Sequence, residues 1–150
     1  MPQSLSFLLI HLVFSTKNRE PFLDATVRPA LHAYLATVVR NAGCHCYRVG
    51  GVVDHVHLAI QLSRTITTAS LAEELKTSSS KWLKTQSSKL TSFAWQRGYG
   101  AFSVSPSDLH ALNQYIDNQE EHHRTKTFQE EYRAFLKKYD LEFDECYVWD

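Results

Sequence analysis

The stretch Asp54-His55-Val56-His57-Leu58-Ala59-Ile60-Gln61-Leu62 constrains this chain more than any other. Its apolar residues recur with a period of two, the pattern of a half-buried β-strand. Val56, Leu58, Ile60 and Leu62 fall on one face, and His55, His57, Ala59 and Gln61 fall on the other. Strand rise puts the two imidazoles roughly 7 Å apart at the backbone, near enough for both side chains to converge on one metal ion. A lone His-x-His fits two polar residues on a solvated sheet face just as well. A second segment, Tyr115-Ile116-Asp117-Asn118-Gln119, shifts the balance toward a site.

Around the histidine strand the chain reads as alternating elements. Leu5 to Phe14 is a first strand, with Leu8, Ile10, Leu12 and Phe14 on one side and Phe7, Leu9, His11 and Val13 on the other. His11 reads as a sheet-face histidine. A helix follows from about Thr26 to Ala42, with Pro29 tolerated in its first turn and Gly43 suited to its stop. Cys44 to Val49 is a second strand. Gly50-Gly51 is expected to let the chain turn, so that the histidine strand returns as an antiparallel hairpin. A second helix begins near Ser70, where Ser70-x-x-Glu73 fits a capping box. Phe93 to Gly100 is a loop and Ala101 to Ser105 a last strand. The order βαββαβ is that of a ferredoxin-like antiparallel sheet with two helices on one face. The other face is left for the histidines.

Ser105-Pro106-Ser107-Asp108 opens a third helix, with Ser105 as cap and Pro106 at its first position. Leu109, Leu112 and Ile116 form its apolar stripe. Tyr115 and Gln119, four apart, stack on a neighbouring stripe with His122 one turn further. A final helix spans Phe128 to Tyr139. No repeat or linker interrupts residues 1–150, which read as one domain.

With 150 residues the chain can bury a real core. Its N-terminus lacks the pattern of a signal peptide, and no apolar run approaches the roughly 18 residues of a membrane span. Cys44, Cys46 and Cys146 offer no second pair at zinc spacing and read as reduced residues, which favours a cytoplasmic chain. Sixteen Lys and Arg balance sixteen Asp and Glu, so bulk electrostatics does not mark a nucleic-acid binder. The balance is local, however. Between Arg64 and Arg97 the basic residues Arg64, Lys76, Lys81, Lys84, Lys89 and Arg97 meet only Glu73 and Glu74, while the tail from Thr127 is acidic. Lys76, Lys81, Lys84 and Arg97 therefore suit a phosphate-facing patch, and a solvated helix face explains the same residues.

Asp54-His55-Val56-His57, the Lys76 to Lys84 helix, Gln96-Arg97-Gly98-Tyr99-Gly100-Ala101-Phe102-Ser103-Val104 and Tyr115-Ile116-Asp117-Asn118-Gln119-Glu120-Glu121-His122-His123 resemble the single-tyrosine transposases of small bacterial insertion sequences. These, with the REP-associated tyrosine transposases, belong to the HUH (His-hydrophobic-His) nuclease superfamily. The likeness runs from Phe14 through Trp149. It implies that His55, His57 and Gln119 bind a divalent ion, Mg2+ or Mn2+, and that Tyr115 is the nucleophile. It implies hairpin-bearing single-stranded DNA as substrate, a 5′-phosphotyrosine intermediate, and a homodimer. Near-zero net charge departs from what a DNA enzyme leads one to expect. Asp54 either orients a histidine or closes the hairpin turn, and His122 or His123 is a candidate base for Tyr115.

Two other classes share these features. A non-catalytic single-stranded nucleic-acid-binding module would use the same sheet without Tyr115. A small-substrate metal-dependent hydrolase would use His55 and His57 and turn over into water.

Overall fold

The computed structural model describes residues 2–150. Its elements are β1 (Leu8–Ser15), α1 (Arg28–Asn41), β2 (His45–Gly51), β3 (His55–Leu62), α2 (Thr68–Gln86), β4 (Gly100–Val104), α3 (Leu109–Asp117), α4 (Gln119–His122) and α5 (Phe128–Lys138). The four strands form one antiparallel sheet in the order β2-β3-β1-β4. This is the ferredoxin-like α+β arrangement expected from the strand and helix pattern, with three helices added after it.

The period-two pattern decides what covers each face. Leu12, Phe14, Val56, Leu58 and Ile60 point to one side, where they pack with Leu31, Leu35 and Val39 of α1 and Leu71, Leu75 and Leu83 of α2. The opposite side carries Val13 and Phe102, covered by Phe128, Tyr132 and Leu136 of α5. Register then sets the polar positions of that second face: Val13 sits opposite His57, Ser15 opposite His55, and His11 opposite both Ala59 and Phe102. One face is thus a conventional core, and the other is a smaller core built round histidines.

Several boundaries differ from the expected ones, each for a local reason. β1 begins at Leu8 rather than Leu5, because pairing starts at Leu8 opposite Leu62 and nothing covers Leu5. α2 begins two residues before Ser70. Thr67 is its cap, its side chain accepting from the Ser70 backbone N–H at 3.0 Å. Gly50 and Gly51 lie within β2 instead of forming the turn, which passes to Val52 through Asp54. Gly50 serves close approach: a Cβ there would stand 2.6 Å from the Ile116 carbonyl oxygen, so α3 can lie directly on β2. Ser105 stands at the N-cap position with Pro106 next to it, as expected, but its hydroxyl caps no backbone N–H. A 3-10 turn at Pro106–Asp108 comes first, and the Ser105 hydroxyl donates to the Asp108 carboxylate at 2.9 Å. The expected continuous tyrosine helix breaks at Asn118, where α3 ends and α4 begins. The capping box that the chain does form is at Thr127 and Glu130, starting α5.

The three cysteines are free thiols. Among the described residues, no helix is long and apolar enough to cross a membrane.

Candidate active site

β3 delivers His55 and His57 to the second face, both fully buried. Each ring has its Nδ1 occupied by an orienting partner. His55 Nδ1–H donates to Asp54 Oδ1 at 2.7 Å, and Asp54 lies at the same time in the turn between β2 and β3. His57 Nδ1 lies 2.7 Å from His11 Nε2. Both Nε2 atoms then face the same interior space, the arrangement in which a carboxylate or second ring holds a metal-binding histidine in register. His11 is therefore more than a passive sheet-face histidine.

Gln119, only 1 % exposed, enters from the far end of the chain and sets its Oε1 3.1 Å from His55 Nε2. The break at Asn118 does not separate it from Tyr115. The Asn118 N–H still bonds to the Gln114 carbonyl and the His122 N–H to the Asn118 carbonyl, and the Gln119 carboxamide N–H reaches back to the Tyr115 carbonyl at 3.5 Å. Tyr115 stands edge-on to His57, with ring centroids 5.7 Å apart, and its hydroxyl donates to Glu131 Oε2. His122 Nε2 lies 3.4 Å from that hydroxyl. His55, His57, Gln119, Tyr115, Asp54 and His122, singled out from distant segments, thus meet around one spot within one chain.

Two further groups complete the cluster. Glu131, 3 % exposed, projects from α5 into the centre, with Oε1 3.0 Å from His57 Nε2 and 3.3 Å from His55 Nε2. His123 brings its Nε2 to 3.1 Å from the same oxygen. From sequence Glu131 counted only as one of the acidic residues of the tail from Thr127 and not as a site residue. The signal was there: it interrupts the apolar stripe Phe128, Tyr132, Phe135 and Leu136, where a carboxylate has no reason to be buried without partners. His55, His57, His123 and Glu131 offer donor atoms that all lie within 4.8 Å of one another. Imidazole nitrogens and a carboxylate oxygen are metal-binding donors, so the residues present fit a divalent ion.

The electrostatics follow from burial and from Glu131. Burial alone would depress His55, but hydrogen bonds to Asp54 and Glu131 outweigh it and push the ring up to about 9. Burial wins at His57, lowered to about 4 despite Glu131, and holds His11 well below the usual range. Burial would raise the Glu131 carboxyl, yet the surrounding imidazoles of His123, His55 and His57 hold it far below the carboxylate range. Burial, reinforced by that carboxylate, raises the Tyr115 phenol.

The basic residues are placed differently. Lys76 Nζ donates to the carbonyls of Gln96, Arg97 and Gly98, so all three of its N–H donors hold the loop before β4 and none is left for a phosphate. Lys81 and Lys84 are exposed on α2, in the layer across the sheet from the histidines. Arg97 is exposed on the loop that Lys76 braces.

A ferredoxin-like sheet carrying paired histidines on one face, with a tyrosine and a glutamine from a later helix beside them, defines an HUH-type single-tyrosine transposase. Residues 4–119 match the family described as "Transposase IS200 like", and the chain belongs to that family. No curated protein matches it. Among solved structures, it is similar to one from Deinococcus radiodurans R1 assigned as a transposase. The two share 22 % identity over 79 % of this chain and 98 % of that one, with a TM-score of 0.62. It is also similar to a REP-associated tyrosine transposase bound to a REP hairpin, at 16 % identity over 82 % of this chain and 74 % of the other, TM-score 0.60. At such identities these two likenesses speak for the fold; membership rests on the family match.

Proposed function

We propose that this transposase, acting as one domain over residues 1–150, cleaves and rejoins single-stranded DNA at hairpin-marked ends. Tyr115 is its nucleophile, and His55, His57 and Gln119 hold a divalent cation, Mg2+ or Mn2+. The observation that carries the reading is the convergence of the Tyr115 hydroxyl, Gln119 Oε1 and two imidazole Nε2 atoms on one buried spot. A bound divalent ion would neutralise charge on the non-bridging oxygens of the phosphate.

The rest of the chemistry belongs to the chain. The Tyr115 oxygen forms a bond to phosphorus as the bond to the 3′-oxygen breaks, and the phenolic proton is lost while the leaving oxygen gains one. The products are a 5′-phosphotyrosine and a free 3′-hydroxyl. Because the phosphodiester is exchanged and not hydrolysed, a second 3′-hydroxyl can reverse the step without a nucleotide cofactor. Asp54 and His11 keep the two ring planes fixed. For His57 to offer an Nε2 lone pair, its Nδ1 must carry the proton and donate to His11, which burial keeps neutral and able to accept.

Access to Tyr115 runs through a cleft of about 430 Å³ lined by His11, Leu112, Tyr115, Phe135, Lys138 and Tyr139. Its aromatic walls and lysine suit an unpaired nucleotide. The hairpin bound by the REP-associated relative supports hairpin DNA as the substrate here. Lys81, Lys84 and Arg97 are then contacts to phosphates away from the scissile bond, in a homodimer working in the cytoplasm.

Incubation with hairpin-bearing single-stranded DNA and Mn2+ should yield a protein–DNA adduct stable to denaturant. Tyr115→Phe abolishes it, and His57→Ala lowers its yield by about 100-fold or more. An adduct that survives Tyr115→Phe would move the nucleophile elsewhere. DNA binding without any adduct would favour a non-catalytic binding module, and release of a hydrolysed small substrate would favour a hydrolase.

A further inference from the structure

We propose that Glu131 and His123 are additional ligands of the same cation. With Gln119, the site is then a centre of three imidazoles, one carboxylate and one carboxamide oxygen that selects a first-row transition ion such as Mn2+, Co2+ or Zn2+ over Mg2+. The proposal rests on the reading that His55 and His57 hold an ion at all.

Three observations carry it. First, His123 Nδ1–H donates to the Lys126 carbonyl at 2.7 Å, which in the neutral ring leaves Nε2 as the lone-pair atom. That Nε2 is buried without a hydrogen-bond partner, although it lies 3.1 Å from Glu131 Oε1. A lone pair aimed at a carboxylate oxygen at that distance is unfavourable unless a proton or a cation lies between them. Second, the two Glu131 oxygens divide their partners. Oε1 faces His55, His57 and His123, while Oε2 faces Tyr115, Gln119 and His122. One oxygen thus belongs with the donor cluster, and the other links it to the tyrosine. Third, donor atoms on opposite sides of an ion with bonds of about 2.1 Å stand about 4 Å apart. The observed spread of up to 4.8 Å therefore needs only a small inward movement of side chains.

The donor set decides the ion. Mg2+ prefers oxygen ligands in a near-ideal octahedron and keeps several waters, whereas first-row transition ions accept imidazole nitrogens beside carboxylate and amide oxygens. The Glu131 charge also compensates the ion within the protein, so the site is expected to load before DNA arrives.

Calorimetric titration of the full chain without DNA tests this. The wild type should bind Mn2+ at least about 100-fold more tightly than Mg2+. Glu131→Gln and His123→Ala should each weaken Mn2+ binding by about 10- to 100-fold, with circular dichroism reporting the fold of each variant. Pulsed electron paramagnetic resonance of the Mn2+-loaded wild type, which needs no variant to fold, should count three imidazole nitrogens. A count of two, or equal affinity for Mg2+ and Mn2+, would overturn the proposal. So would wild-type affinity in both variants alongside lost binding in His57→Ala, an outcome that leaves the two-histidine reading standing. Failure of the wild type to bind any of these ions would remove both.

Discussion

Glu131 shows how much a single misplaced charge can say. A glutamate flanked on its own helix face by Phe128 and Phe135 is expected to be costly unless something compensates it. Here four imidazoles, a phenol and a carboxamide compensate it at once. Burial of the opposite kind occurs at His32 on α1, whose Nε2 is buried without a partner beside Arg28. Burial, and secondarily Arg28, lower that ring to about 4. Between about pH 6.5 and pH 4 the unfolded chain takes up a proton at His32 that the folded chain refuses. Stability attributable to this residue is therefore full above pH 6.5 and falls as the pH drops through that window. The melting temperature should decline between pH 7 and pH 5, and His32→Gln should reduce that decline by about 2 °C or more. An unchanged decline in the variant would assign the effect to other histidines.

At the scale of elements, the site depends on two helices pressed close to the sheet. α3 reaches β2 only because Gly50 has no side chain: an added Cβ would meet Ile116 Oat 2.6 Å and Ile116 Cγ2 at 2.7 Å. Ile116 lies between Tyr115 and the segment bearing Gln119, so displacing it displaces both functional side chains. Gly50→Ala is expected to cost about 1–3 kcal/mol of stability in urea unfolding and to lower adduct yield disproportionately. A variant that loses stability while keeping full adduct yield would show that α3 can shift without disturbing the site. The loop before β4 is held in the opposite manner, by addition. Lys76 grips three of its carbonyls and lies over the Phe14 and Tyr99 rings, and burial lowers its ammonium to about 8.

Across the whole molecule the sheet divides the labour. One face, with α1 and α2, carries the larger apolar core; the other, with α3, α4 and α5, carries the histidines. The Tyr115 hydroxyl and the His55–His57 pair meet through Glu131 within the same chain. Mixing Tyr115→Phe protein with His57→Ala protein should accordingly yield no DNA adduct, since neither chain then holds both parts. Restored adduct would mean that two chains exchange their tyrosine helices. Zero net charge agrees with binding through local contacts in place of a basic surface, so adduct formation is expected to depend weakly on salt.

Local patterning alone determined the strand that presents His55 and His57, the assignment of sheet faces, the βαββαβ order and the pairing of Tyr115 with Gln119. Those features arise from period-two and period-3.6 placement of residues close in the chain, which any fold must respect. Only the tertiary structure decided that Glu131 and His123 join the cluster, that His11 braces His57, and that Lys76 faces carbonyls instead of phosphates. Each of these depends on how α5, the sheet and the β4 loop pack across long sequence separations, and no local period records that packing.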